Sequence, residues 1–249
     1  MQDARLTPVL SIAGLISLWV VAALLTDDAQ ILPTPWALVP LAAQELASGE
    51  LLRHLGATLF RVIWAFALAM MLGTAIGLAM GRSERLNRWL DPWLVIFLNL
   101  PALVLIVLCY LWIGLTEAAA IIAVTLNKVP NVAAVVREGG RALDRDLDAM
   151  AQVYRMPWAT RMRHVILPQL APFIAGAARS GVAVIWKIVL VVEFLGRSSG
   201  IGFQIHLYFQ LFDVALVLVY ALSFICVMLL VEWLILQPWE RRASRWRTA

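Results

Sequence analysis

The stretch LGATLFRVIWAFALAMMLGTAIGLAM, residues 55–80, carries one charged side chain, Arg61, in 26 positions. A helix rises about 1.5 Å per residue, so about 20 mostly apolar residues cross the roughly 30 Å hydrocarbon core of a bilayer. A water-soluble domain has no need of so long an apolar run, and the stretch predicts a transmembrane helix. Its extra length, with Arg61 near its start, predicts that its first part lies at the membrane interface or that the helix is tilted.

Outward from this run the pattern recurs at residues 9–25, 92–113, 118–136, 173–195 and 214–236. The predicted fold is all-α and integral to the membrane, with about six transmembrane helices forming a single domain over residues 1–249. Composition agrees: 62% of the residues are hydrophobic, 14% are charged and the mean hydropathy is +0.84. A soluble domain is about 45–50% apolar and about 25% charged. The first run could in principle be a signal peptide. Its apolar core is longer than such a segment needs and no small-residue cleavage pattern precedes Thr26-Asp27-Asp28, so an uncleaved helix is expected. Cys109 and Cys226 both fall inside apolar runs and read as small core residues, neither disulfide nor metal pair.

The formal net charge of +4 resolves into topology. Arg5, the group Arg82, Arg85 and Arg88, the six arginines of residues 137–163, and Arg241, Arg242, Arg245 and Arg247 make fourteen of the twenty basic residues, all on one predicted side. The other side carries only Arg53 and Arg197, with Asp27, Asp28, Glu45, Glu50, Glu117 and Asp213. Short basic loops stay in the cytoplasm, so both termini are expected there. With the basic bias so explained, no surface suited to nucleic acid remains. Trp36, Trp89, Trp93, Trp112, Trp233 and Trp239 lie near predicted helix ends, where indoles favour the lipid bilayer interface. Between the first two runs, Leu32-Pro-Thr-Pro35 predicts extended chain and residues 40–52 a short helix lying on the membrane.

Residues 138–172 form a loop longer than two membrane helices need. Leu143, Leu147, Met150, Ala151 and Tyr154 recur at helical spacing, Met156-Pro157 interrupts, and Ala159, Met162, Val165 and Ile166 resume the period until Pro168 is expected to stop it. This predicts a cytoplasmic helix-turn-helix with an apolar stripe to bury, either against the ends of its own bundle or against a cytoplasmic partner.

Residues 148–168, DAMAQVYRMPWATRMRHVILP, resemble the EAA-x3-G…LP loop of binding-protein-dependent ABC permeases. The likeness extends to Leu32-Pro-Thr-Pro35, Gly73-x3-Gly77-x3-Gly81, Asn99-Leu-Pro101, Trp112-Ile-Gly114, Trp186, Val192-Glu-Phe-Leu-Gly196 and Gly200-Ile-Gly202, and is similar to the nitrate/sulfonate/taurine branch. Counting back from Leu167-Pro168, the motif's acidic position falls on Ala149, with Asp148 adjacent, and its glycine on Arg155. A glycine there would enter a left-handed turn cheaply, so Arg155-Met156-Pro157 is expected to turn differently.

The resemblance implies a permease subunit in a bacterial inner membrane, present as a homodimer above two ATP-binding subunits and below a periplasmic solute-binding protein. It implies an ATPase-coupling segment made of Asp148, Ala149, Met150, Ala151, Tyr154, Arg155, Met156, Pro157 and Trp158. The chain has no G-x4-GK[ST] phosphate loop, so it is expected to bind no cofactor directly, with ATP and Mg on the partner ATPase. The glycines at 73, 77 and 81 have the small-xxx-small spacing that lets helices approach, within one chain or between two.

Charges within a bilayer are costly and usually face a cavity or a partner. Lys128, Lys187, Glu193 and Asn127 lie in predicted helices and, with Asn99, are candidates for the translocation path; Lys128 and Arg179 could equally snorkel to the interface. Asn99-Leu-Pro101 and Asn127-Lys-Val-Pro130 each read as a broken, path-lining helix or as a packed kink. Two other classes bear weighing. An intramembrane enzyme would have to use Glu193, His206 or Asp213, but no catalytic motif or metal-binding spacing accompanies them. A self-contained secondary transporter or channel would leave the structured loop unexplained.

Overall fold

The computed structural model describes residues 3–236, and every regular element among them is helical. Arg241, Arg242, Arg245, Arg247 and Trp239 lie outside the described residues. Helix α1 (Asp3–Thr26) is mostly exposed from Leu10 onward. Helix α2 (Pro35–Ala47) starts earlier than the expected 40–52 because Pro35 occupies its first turn, and Gly49, at φ +80°, ends it before α3 (Glu50–Arg82) begins. Helices α4 (Glu84–Asn99), α5 (Ala102–Ile113), α6 (Glu117–Arg141), α7 (Arg145–Val153), α8 (Trp158–Arg161), α9 (Leu167–Gly196), α10 (Ile201–Gln210) and α11 (Val214–Val231) follow.

Among the described residues, four helices are long and apolar enough to cross a membrane, and five spans result if a sharply bent pair counts as one. The apolar segment Leu10–Thr26 of α1 is shorter. The bent pair corrects the sequence reading of residues 92–113, for α4 and α5 meet at 99°. Pro101 has no N–H and disfavours helix in the residue before it, so Leu100 is extended at φ −70°, ψ 126°. Asn99 Nδ2 donates to the Val95 carbonyl, one turn back at the end of α4, at 2.8 Å. The companion sequence around Pro130 behaves otherwise: α6 runs through it unbroken.

A second correction concerns Pro168, which does not stop its helix. Trp158–Gly196 is continuous over 39 residues. A π-helical turn at Met162–Ile166, closed by Leu167 N–H on the Met162 carbonyl, widens the helix just ahead of the proline, where its missing donor is not needed. Cys226 also departs from expectation, being exposed on α11 while Cys109 is buried.

The seam between α3 and α6 sets the spacing of the bundle. A Cβ on Gly73 would lie 2.5 Å from Val132 Cβ, on Gly77 2.5 Å from the Ala133 carbonyl oxygen and on Gly81 2.6 Å from that of Arg137. The small-residue stripe is thus consumed within the chain. Helix α9 packs on the same pair through Ile185, Val189 and Val192, and Trp186 meets Phe224 of α11 edge-on. Gly77→Ala should therefore lower thermal stability by about 1–3 kcal/mol, the usual cost of overpacking. Gly56→Ala, with nothing within 4 Å of the added methyl, should not. Melting followed by fluorescence-detected gel filtration checks this; equal melting of the two variants would exclude so tight a seam.

Candidate functional site: a polar clamp and an exposed coupling turn

From Arg61 to Arg82 is 21 helical residues, about 30 Å, one hydrocarbon thickness. Arg61 therefore sits near one membrane boundary when Arg82 sits near the other. Buried to 2% exposure, its guanidinium donates Nε and Nη2 to Glu117 at 2.7 and 2.6 Å, Nη1 to Glu193 at 2.6 Å, and also reaches the Ser199 carbonyl and hydroxyl at 2.7 and 2.8 Å. All five N–H donors of the side chain have acceptors.

Glu193 is fully buried. Its Oε2 accepts from Thr58 Oγ1 and from Gly202 N–H, both at 2.9 Å. Gly200 N–H donates to His54 Nδ1 at 3.0 Å, and Ile201 N–H to Thr58 Oγ1 at 2.9 Å. Arg197 adds a second cation on Glu117 and also donates to the Leu115 carbonyl. Gly200 must be glycine twice over: φ is +114°, and a Cβ would lie 2.2 Å from Glu193 Cδ. The clamp ties α3, α6, α9 and the start of α10 together at one end of the bundle.

The opposite end carries α7 and its turn. Asp144 caps α7 by accepting from Asp146 and Leu147 N–H, and Asp148 receives Arg161 Nε at 2.9 Å and Arg82 Nη2 at 3.1 Å. Hydrogen bonding from Arg161 and the charge of Arg82 hold the Asp148 carboxyl below its ordinary range, so the contact is ionised at neutral pH. Met156 N–H bonds the Ala151 carbonyl and Arg155 N–H the Gln152 carbonyl, with Arg155 at φ +47°. These two bonds around a left-handed residue are a Schellman ending. The expectation of a different turn is thus corrected: Arg155 makes the glycine's turn and bears a left-handed strain of about 1–2 kcal/mol.

The apolar stripe of this loop is covered by its own bundle only in part: Val165 and Ile166 of its second half are buried. Ala151 is enclosed, but Leu147 and Met150 are partly exposed, and Val153, Tyr154 and Trp158 stand 80%, 73% and 73% exposed. A nine-residue helix held mainly by polar contacts has too little bundle beneath it to cover them. Ala149 and Pro157 are exposed as well, and Met156 is half-buried.

The candidates for the path separate. Lys187 is exposed on α9 beside Ala183 and Val184, on the face that also carries Gly176, Arg179 and Ser180. Lys128 points inward, 3% exposed, against Gly181 and Phe66, with no ion pair or hydrogen bond among the described residues. Asn127 is half-buried and Asn99 is spent on its own helix end. Glu193 is enclosed in the clamp and lines no open surface of this chain. Arg61, Thr58, His54, Glu117 and Ser199 were missed as the other members of the clamp. The signal was present, since an Arg and a Glu in two different apolar runs pair with each other more readily than with lipid. His206 packs on Phe194 and Asp213 caps α11, so neither joins Glu193.

Long apolar helices, clamped at one end and bearing an exposed short helix at the other, define a multi-span membrane protein. The chain belongs to the family of binding-protein-dependent transport system inner membrane components, which it matches over residues 69–237. It is 33% identical over 194 residues to the putative aliphatic sulfonates transport permease protein SsuC of Bacillus subtilis, covering 78% of this chain and 70% of that one. It is 28% identical over 250 residues to a probable ABC transporter permease protein of Brucella abortus, covering 99% of each. A chain of the MetNI methionine ABC transporter, solved in inward-facing conformations, superposes with a TM-score of 0.68 at 17% identity, over 81% of this chain and 99% of that one. The protein is a permease subunit of an ABC importer, a non-catalytic membrane component whose family works with a separate ATPase and a substrate-binding protein.

The clamp makes a prediction of its own. Arg61→Met should destabilise by about 3–5 kcal/mol, because it strands Glu193 in the interior, whereas Arg61→Met with Glu193→Met should recover most of the loss. Melting of the single and double variants in detergent checks it, and a double variant no better than the single one would mean that the pair does not carry the effect.

Proposed function

We propose that this permease works as a homodimer in a bacterial inner membrane with both termini cytoplasmic, passing a small sulfonate-like anion delivered by a periplasmic binding protein. The observation that carries the reading is the exposed apolar turn at residues 150–158, mounted on the 39-residue helix Trp158–Gly196 that ends at the clamp. Val153, Tyr154 and Trp158 offer an apolar patch to a groove of the ATP-binding subunit, while Asp148 fastens the turn to Arg82 and Arg161. A displacement of the turn on ATP binding is passed along one stiff helix to Glu193. ATP and Mg stay on the ATPase, and this chain binds no cofactor itself.

The path lies between two copies along the exposed face of α9. Small residues at 176, 180 and 183 let the copies approach, and Lys187 supplies a positive site facing the passing anion. Lys128, buried without a counter-charge behind Gly181, biases the same region positive. Substrate class follows from this bias together with the relative whose name specifies aliphatic sulfonates. The basic loops, on the same side as the coupling turn, set the orientation.

Pull-down of the ATPase, with ATP hydrolysis and uptake of an aliphatic sulfonate, tests the reading. Met150→Asp and Arg155→Glu should weaken assembly and lower transport-linked hydrolysis about tenfold or more, as loss of a central apolar or charged contact does. Arg155→Gly, which keeps the turn and relieves its strain, should remain coupled. Lys187→Gln should reduce uptake with assembly intact. Normal assembly and uptake in Met150→Asp and Arg155→Glu would exclude the coupling role, and unchanged uptake in Lys187→Gln would exclude the anion path.

A further inference from the structure

Four arginines at the α7 end are matched to carboxylates. Arg82 and Arg161 share Asp148, Arg137 binds Asp91 and Glu138, and Arg141 binds Glu138. Arg85 and Arg88, exposed on α4, have no carboxylate partner among the described residues. They stand one turn apart and, with Trp89, Pro92 and Trp93, line a single recess of about 610 Å³. Trp89 and Trp93 are themselves exposed.

Trp93 belongs to a second hollow as well. On its other side it borders a cleft of about 230 Å³ between α3, α4 and α6, where Ile76, Phe97, Leu126 and Val129 present almost nothing but carbon. The recess that holds the two arginines thus adjoins an apolar slot, and the Trp93 indole lines both. The pair stands at a membrane surface because it follows within two helical turns of Arg82, which sits near a membrane boundary, and α4 turns from the apolar α5 at 99°. A helix with Arg and Trp on its outer side and an apolar inner side rests in the headgroup layer.

From these two adjoining hollows we infer an anionic phospholipid site, with the phosphate of the headgroup held between Arg85 and Arg88, the indoles of Trp89 and Trp93 flanking it, and one acyl chain lying in the cleft against Ile76 and Phe97. A soluble anion would use the arginines and leave the slot empty. A second copy of this chain, docked through this face about a twofold axis, would bring the same unpaired arginines toward each other, which disfavours it. Basic recesses beside membrane helices with apolar walls suit lipids whose headgroups carry net negative charge.

The purified full-length permease, reconstituted in nanodiscs of phosphatidylcholine with 20% phosphatidylglycerol as a chosen probe mixture at about physiological ionic strength, tests this by native mass spectrometry of retained lipid. The wild type should retain phosphatidylglycerol in preference to phosphatidylcholine. Arg85→Gln with Arg88→Gln should lower that preference about tenfold or more, since each basic residue near a surface contributes favourably to anionic lipid binding. Arg85→Lys with Arg88→Lys should keep most of it. Ile76→Trp, which fills the slot and leaves both arginines, should also lower retention. Equal retention by the Gln pair and the wild type would overturn the proposal. So would displacement of the lipid by millimolar inorganic phosphate, which would mark a soluble-anion site, or a change in subunit stoichiometry in the Gln pair with lipid retention unmoved, which would mark a protein contact.

Discussion

A fully buried carboxylate facing an almost fully buried guanidinium, Glu193 on α9 and Arg61 on α3, is the constraint on which the rest of this bundle hangs. Taking two charges out of water costs several kcal/mol each, and the pair persists because both oxygens of Glu193 and all five N–H donors of Arg61 are engaged. Thr58 and Gly202 occupy the other oxygen of Glu193, and Glu117 and Ser199 occupy the other donors of Arg61. These partners come from four segments of the chain, so satisfying one charge pair fixes where α3, α6, α9 and α10 meet. The glycines at 200 and 202 follow from the same requirement, because the α9–α10 turn must bring its amides against the carboxylate.

The two ends of the molecule are built on opposite principles. The clamp is held firmly because its central pair, Arg61 and Glu193, is enclosed and hydrogen-bonded from several helices. The α7 end is sparsely held: one cap at Asp144, one shared carboxylate at Asp148 and one Schellman turn leave large apolar side chains in the open. An exposed patch of this kind marks an interaction surface. Between the ends runs the helix Trp158–Gly196, with its widened turn at Met162–Ile166, which joins a surface suited to a partner with a core that cannot yield locally. The coupling proposed above would therefore act as rigid displacement of a helix, the form in which packed cores respond.

Much of the architecture was legible in the chain because hydrophobic length and arginine placement are one-dimensional signals. The runs around α3, α6, α9 and α11, the short helix before α3 and the structured loop all follow from counting residues. Where the reading failed, the cause was local chemistry whose outcome depends on neighbours. Pro101 broke its helix and Pro130 did not, although each follows an Asn, since α6 is packed against α3 along its length and α4 has a surface to turn onto. Pro168 was absorbed by a π turn, and Arg155 entered the left-handed region because the bonds at Ala151 and Gln152 hold it there.

By itself, then, the sequence determined that the chain enters a membrane, which loops are basic, that a structured loop lies between the helices now seen as α6 and α9, and which family that loop resembles. Only the tertiary structure decided that Glu193 belongs to Arg61 and lines no open surface, that the Gly73-Gly77-Gly81 stripe is spent inside the chain, that Lys128 points inward while Lys187 points out, and that α4 turns aside at Leu100. The physical reason is common to all four. Whether a charge is paired, a small residue contacted or a helix continued depends on atoms many residues away, and a pattern along one chain records the need for a partner without saying which partner meets it.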